Sequence, residues 1–379
     1  MKALFFLHSL ANFAGIERVM CDKMNYMAQQ GHDVTLVTYE QGKHPYSFPL
    51  NNPIHCINIE NCRFFTLYRY HHPIRLWKMM KMKRLFKQKF HRLVVDVRPD
   101  VIITVSNAGD FMNEVMTAPY GRKIVEAHGA YPAIMASNTI LGRCKNYLYR
   151  QAIRKTDMMI TLTNSDKYYW DKIVKKVLVV PNPITFYCDT VNGIERKKGR
   201  ILCVARLEPQ KRIDRLIIAF NLIATKFPEW YVDVFGAGVE QDNFRNMINS
   251  LGLPNRIHLN QPTTDIKKEY QTSQMLVLSS DYEGFPLVLL EAMACGLPCV
   301  STRCPFGPSE IIEDGYTGLL CDLNSNDLAA KMEWMITHET ERKQMGIKAH
   351  DAAAKYRKDV VMKMWEKAYE EAYENAEFY

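Results

Sequence analysis

Short apolar runs alternate with amphipathic segments along the whole of this 379-residue chain. Leu4 to Leu7, Val34 to Thr38, Val101 to Val105, Ile124 to Ala127 and Met158 to Leu162 read as strands, with helical spacing between most of them. A polar stretch follows Pro181-Asn182-Pro183 and ends in Arg196-Lys197-Lys198-Gly199-Arg200, after which the cycle restarts. Ile201 to Ala205, Tyr231 to Phe235, Ile257 to Leu259, Met275 to Leu278 and Pro298 to Ser301 are the strands of the second series. Two such series predict an α/β chain of two doubly wound, Rossmann-like domains. The expected division is residues 1–185, residues 186–358, and a closing amphipathic helix at 359–379 that returns towards the first domain. In sheets of this kind ligands bind outside the carboxyl ends of the strands, so the loops leaving strands are where chemistry is expected.

Composition changes this picture mainly through charge. The formal charge is +8, but residues 1–185 hold 26 Lys and Arg against 13 Asp and Glu, and residues 186–379 hold 23 against 28. The first half therefore faces something anionic, such as phosphate, nucleic acid or a membrane. Ten cysteines include no pair at the two-residue gap of zinc knuckles or redox motifs, and reduced packing thiols are expected. Met1 to Ala11 resembles a secretory signal, yet His8 and Ser9 interrupt its apolar run, which fits a buried first strand better. No stretch reaches the roughly 18 uninterrupted apolar residues of a membrane span. A cytoplasmic protein is expected, with peripheral contact on the inner face of the cell membrane as an extension of that reading.

Two loops carry the candidate chemistry. In the first, a strand ends near Ser279, Glu283 and Gly284 lie in the loop, and Pro286 opens a helix that stops at Gly296. Backbone N–H groups at Phe285, Leu287 and Val288 would make an anion site at that helix start. Glu291, further along the helix, is placed to accept two hydrogen bonds from a ribose diol, and Glu283 to reach the group beyond the phosphate. In the second loop, Arg206 and Lys211 sit at a strand's carboxyl edge, where two cations can neutralise a diphosphate.

Taken together, the Glu283 and Glu291 spacing, the Arg206 to Lys211 loop and the following Gly-Leu-Pro strand resemble the retaining family 4 glycosyltransferases (glycosyl transferases group 1). The resemblance extends over essentially the whole chain and is densest from residue 201 to 322, including Gly236-Ala237-Gly238 and Gly307-Pro308-Ser309-Glu310-Ile311-Ile312. It implies the GT-B fold, two Rossmann-like domains facing a cleft. It also implies that Arg206 and Lys211 hold the diphosphate of a nucleotide sugar, with Gly284, Phe285, Pro286 and Leu287 assisting. Glu291 would hold the ribose and Glu283 the transferred sugar. In the first domain, Gly15 matches the glycine-rich entry to the first helix, with Ala14 in place of a second glycine. His128, after Glu126-Ala127, matches the family's active-site histidine. Ala205 and Asn260-Gln261 depart from the family pattern at positions where glycine is common. The chain has no Asp-any-Asp pair to clamp a metal, so transfer without metal or cofactor is expected.

One feature is not absorbed by the nucleotide. Between Tyr68 and Arg92 lie nine Lys or Arg and no acid, interleaved with Leu76, Trp77, Met79, Met80, Leu85 and Phe86. This basic amphipathic helix either packs its apolar side on its own domain or adheres to an anionic membrane that carries the acceptor. Nucleic acid is not expected, since no recognition motif accompanies the charge. The leading expectation is hexose or N-acetylhexosamine transfer from a nucleotide sugar, with UDP favoured, to a glycan or lipid-linked acceptor. Such a reaction would serve cell-surface polysaccharide synthesis, as in lipopolysaccharide or capsule. A nicotinamide-dependent oxidoreductase and a non-catalytic basic membrane or nucleic-acid adaptor remain open on the residues alone.

Overall fold

The computed structural model describes residues 1–12, 15–51, 53–59, 72–106, 111–135, 139–191 and 193–374. Ala14 and the start of the basic stripe, residues 68–71, lie outside them. The chain divides into two compact units, Met1–Val180 with Met362–Tyr379, and Pro181–Val361.

Unit 1 holds seven strands: β1 (Lys2–Leu7), β2 (Asp33–Thr38), β3 (Ile54–Asn58), β4 (Val101–Val105), β5 (Arg122–Ala127), β6 (Met158–Thr161) and β7 (Val177–Val179). Their order is β3-β2-β1-β4-β5-β6-β7 and every pairing is parallel. Unit 2 holds β8 (Arg200–Val204), β9 (Tyr231–Phe235), β10 (Ile257–Asn260), β11 (Met275–Leu278), β12 (Cys299–Thr302) and β13 (Gly318–Cys321). They run β10-β9-β8-β11-β12-β13, again wholly parallel. In each sheet the winding reverses beside the first strand of its series, between β1 and β4 and between β8 and β11. Such switch points open a crevice at the strands' carboxyl ends.

Apolar burial explains the strands. Phe5, Phe6, Ile102, Ile103, Ile201 and Leu202 are wholly buried, as the residues of sheets covered on both faces must be. In unit 2 the strand residues Ile201, Cys203, Val232, Val234, Met275 and Val277 share one core with Leu216, Ile217 and Phe220 of the helix Ile213–Ala224. In unit 1 an aromatic cluster of Phe6, Tyr39, Phe86, Phe90 and Phe111 fills the space under the helix His72–Val97, with the Phe86 and Phe111 ring centroids 3.8 Å apart. The C-terminal helix Lys358–Glu374 is fastened to unit 1 through Glu366, which meets His32 Nε2 at 3.0 Å and the Tyr26 hydroxyl at 3.1 Å. All nine described cysteines are free, seven of them buried. Among the described residues no helix is long and apolar enough to cross a membrane.

Candidate active site

The two loops at the switch point of unit 2 are the two that carry the predicted chemistry. The first leaves β8, passes Arg206, makes a 3-10 turn over Pro209–Lys211 and enters the helix Ile213–Ala224 through Arg212, whose φ is 48°. The second leaves β11 at Ser279 and reaches the helix Leu287–Ala294, with Pro286 as its N-cap. That helix is shorter than the sequence pattern suggests, because Cys295 and the left-handed Gly296 end it.

Side chains from both loops lock them together. Asp281 receives Arg215 Nη2 at 2.6 Å and Arg212 Nη1 at 3.1 Å, and Gln210 Nε2 donates to the Tyr282 carbonyl at 2.7 Å. The Lys211 ammonium and Glu283 carboxylate meet at 2.7 Å, and Ser280 Oγ donates to the same carboxylate oxygen at 2.6 Å. Lys211 is 15% exposed along its side chain and Glu283 7%, so the pair is largely withdrawn from water. Beyond Glu283, the N-cap Pro286 makes no side-chain bond to the helix Leu287–Ala294. Its first-turn N–H groups and dipole make a site for negative charge beside the Lys211 cation. The sequence pattern marks none of Asp281, Arg212 and Arg215 as a site residue, although Arg212 and Arg215 lie three apart where the helix begins.

The remaining candidates are placed differently. Arg206 is exposed and pairs with Glu208 at 2.7 Å. Glu291 is buried, with Oε1 accepting from Thr185 Oγ1 at 2.7 Å and Oε2 from the Tyr270 hydroxyl at 3.1 Å. Burial, with the Glu291 charge beside it, holds the Tyr270 phenol well above its ordinary pKa, so it stays a donor. Each carboxylate oxygen of Glu291 can accept more than one hydrogen bond. Neither Thr185 nor Tyr270 carries a sequence signal, since both meet Glu291 through the fold.

The glycines of Gly236-Ala237-Gly238 have a packing role. A Cβ on Gly236 would collide with the Ala205 carbonyl, and one on Gly238 with the Leu207 carbonyl. Leu207 N–H donates to the Ala237 carbonyl at 2.9 Å, so this loop props the Arg206 loop from behind. Gly307 does the same for the second loop: its φ is 77°, and a Cβ there would press on Pro286.

In unit 1, Gly15 is the first residue of the helix Gly15–Gln29. His128 directly follows β5 and its side chain is 2% exposed. Its Nε2 lies 2.7 Å from Glu126 Oε2, which also receives the Lys23 ammonium at 2.6 Å. Burial alone would raise the Glu126 pKa, but Lys23 and His128 outweigh it and hold the carboxyl at about 2. Burial lowers His128, so at neutral pH the imidazole is uncharged, with Nε2–H donating to Glu126.

The model of glycosyltransferase family 4 matches residues 13–186 and that of the glycosyl transferases group 1 matches residues 189–352, together most of the chain. The chain belongs to the group 1, family 4 glycosyltransferases. That membership sets the oxidoreductase reading aside. The amylovoran biosynthesis glycosyltransferase AmsD of Erwinia amylovora is 26% identical over 377 residues, covering 96% of this chain and 98% of the relative. An α-1,4-N-acetyl-D-galactosaminyltransferase of Campylobacter jejuni, named for an undecaprenol diphosphate-linked glycan acceptor, is 25% identical over 355 residues, 91% of this chain and 92% of the relative. Among solved structures, S. aureus TarM in complex with UDP is similar with a TM-score of 0.75 at 15% identity, over 97% of this chain and 100% of that one. The glycosyltransferase has the GT-B fold of such neighbours.

Proposed function

We propose that this glycosyltransferase moves a hexose or N-acetylhexosamine from a UDP-sugar to a glycan or lipid-linked acceptor in cell-surface polysaccharide synthesis, with retention of anomeric configuration and without a metal. The observation that carries the reading is the Lys211 and Glu283 pair at the switch point of unit 2, in the loops that lead to the helix start at Pro286. The lipid-linked glycan for which the Campylobacter relative is named supports the acceptor class. The UDP bound to TarM supports the base.

As the bond from the anomeric carbon to the diphosphate breaks, negative charge grows on the leaving group and the sugar becomes oxocarbenium-like. Preorganised cations and N–H dipoles stabilise that charge more than they stabilise the intact donor. Lys211, Arg206 and the backbone from Gly284 to Leu287 are assigned this task, Glu291 the ribose, and Glu283 the hydroxyls of the transferred sugar. The acceptor oxygen bonds to the anomeric carbon on the face the diphosphate leaves, and a departing phosphate oxygen takes its proton. Gly15 and His128 are assigned to the donor's phosphate and sugar from unit 1.

UDP is expected to raise the melting temperature of the wild-type protein, and Glu291→Ala and Arg206→Ala each to shrink that shift. A shift that survives both substitutions overturns the site, and an inverted product in an NMR spectrum of the reaction overturns the mechanism.

Membrane contact belongs to the same proposal. On the helix His72–Val97, Phe86, Phe90 and Val94 are buried in the aromatic core, whereas Trp77 is 61% and Met80 62% exposed. Lys81, Arg84, Lys87, Lys89 and Arg92 are exposed on the same helix. Phe86, Phe90 and Val94 thus anchor the helix, and Trp77 and Met80 are the apolar side chains it offers to a lipid interface. Each basic residue close to an anionic surface contributes about 1 kcal/mol. Vesicles containing phosphatidylglycerol are expected to retain the protein at low salt and release it at high salt; equal binding to neutral vesicles discards the contact.

A further inference from the structure

The buried charges of unit 1 are arranged around one residue. Glu126 is fully buried near the end of β5, and three donors converge on its two carboxylate oxygens. Lys23 from the first helix and His128 share Oε2, and the Tyr369 hydroxyl from the C-terminal helix takes Oε1. The Lys23 side chain is 0% exposed, and its ammonium lies 2.9 Å from the centroid of the Trp365 ring. Trp365 in turn lies parallel to the His128 imidazole, with the planes 7° apart. Three segments distant in sequence, the first helix, the end of β5 and the C-terminal helix, thus meet around Glu126 and His128.

Stability alone gives little reason for such a cluster. Taking an ammonium and a carboxylate out of water is costly, and well-packed apolar residues serve a core as well or better. What the arrangement does provide is a fixed imidazole. An ionised Glu126 can only accept, so it binds the ring through Nε2–H and leaves Nδ1 as the acceptor nitrogen of a neutral ring. Lys23 balances the Glu126 charge, so the carboxylate does not draw a second proton onto the ring.

We propose that Lys23, Glu126 and Tyr369 are positioning residues for His128, so that the C-terminal helix supports glycosyl transfer without touching substrate. This rests on the reading that His128 acts at the donor sugar. The titratable groups that face the imidazole are Glu126 and Lys23, with Tyr369 acting through Glu126. All three act on the ring's orientation and protonation.

The test is steady-state kinetics of the full chain, with kcat and donor KM measured separately across pH. His128→Ala is expected to be nearly inactive. Tyr369→Phe and Lys23→Met are expected to keep the UDP-induced thermal shift and a donor KM within about twofold, yet to lose on the order of 10–100-fold in kcat, as misplacement of a reacting group does. In Lys23→Met the acid limb of the kcat profile should also move to higher pH, because removal of the neighbouring cation makes protonation of the ring easier. Should Lys23→Met fail to fold, Lys23→Met with Glu126→Gln removes both buried charges together and is expected to fold with the same loss of kcat. If His128→Ala is inactive while the Tyr369 and Lys23 variants retain wild-type kcat and an unshifted acid limb, the positioning role is overturned and the reading of His128 stands. A fully active His128→Ala overturns that reading itself.

Discussion

Lys211→Met is expected to lower kcat by about 10²–10³-fold, the loss measured when one preorganised partner of a developing anion is removed. The side chain stands at the start of a helix in the loop after β8, held by Glu283 at 2.7 Å and little exposed. A cation fixed in that way needs no reorganisation when the diphosphate begins to leave, whereas water would have to turn its dipoles. The substitution has a second consequence, because it leaves the Glu283 carboxylate buried without its ammonium, held by Ser280 alone among the bonds described above. Part of any change in melting temperature therefore reports a stranded charge rather than lost catalysis. Glu283→Gln in the Lys211→Met background separates the two effects: it relieves the stranded charge and should recover melting temperature, while kcat stays low. If Lys211→Met loses stability but retains kcat within about threefold, the pair is structural and the leaving-group cation must be sought elsewhere.

The legibility of the chain follows from where its contacts lie in sequence. Strands such as Val101–Val105 and Met275–Leu278 declare themselves because every residue in them is buried, so burial and sequence pattern coincide. Three strands are absent from that reading. Ile54–Asn58 is an edge strand with three exposed residues and no apolar run, Val177–Val179 is only three residues long, and Gly318–Cys321 begins on a glycine. Gly318 is explained by its neighbour, since a Cβ there would press on the Cys299 carbonyl of the adjacent strand. The loops of unit 2 that hold the charged residues were legible because they sit next to strand and helix signals. Their pairing was not, because Lys211 and Glu283 are 72 residues apart. Lys23 carries a signal of its own. It falls four residues after Val19 and four before Met27, on the buried stripe of the first helix, and a lysine at an apolar position is itself a signal of a buried partner. Nothing in the sequence pointed to Glu126 or Tyr369 as that partner.

The other large effect expected is on stability, from Gly236→Ala. The carbonyl of Ala205 occupies the place a Cβ would take, and the obstacle is backbone at the end of β8 rather than a side chain that could turn away. To make room, the β9 loop must move off the β8 loop, and the hydrogen bonds from Leu207 N–H to the Ala237 carbonyl and from Glu240 N–H to the Leu207 carbonyl stretch with it. Overpacking of this kind costs about 1–3 kcal/mol where side chains can yield and more where they cannot, so a loss of at least about 3 kcal/mol is expected. Gly252→Ala is the control: its φ is 70° but nothing lies within 4 Å of its Cβ, so only the left-handed backbone penalty of about 1–2 kcal/mol applies. Denaturant midpoints of the two variants measure the difference. Because Arg206 and Lys211 ride on the displaced loop, Gly236→Ala should also lose the UDP-induced thermal shift under conditions where it remains folded, while Gly252→Ala keeps it. Equal midpoints for the two variants would mean that the loops part without cost, and that the support assigned to Gly236-Ala237-Gly238 is wrong.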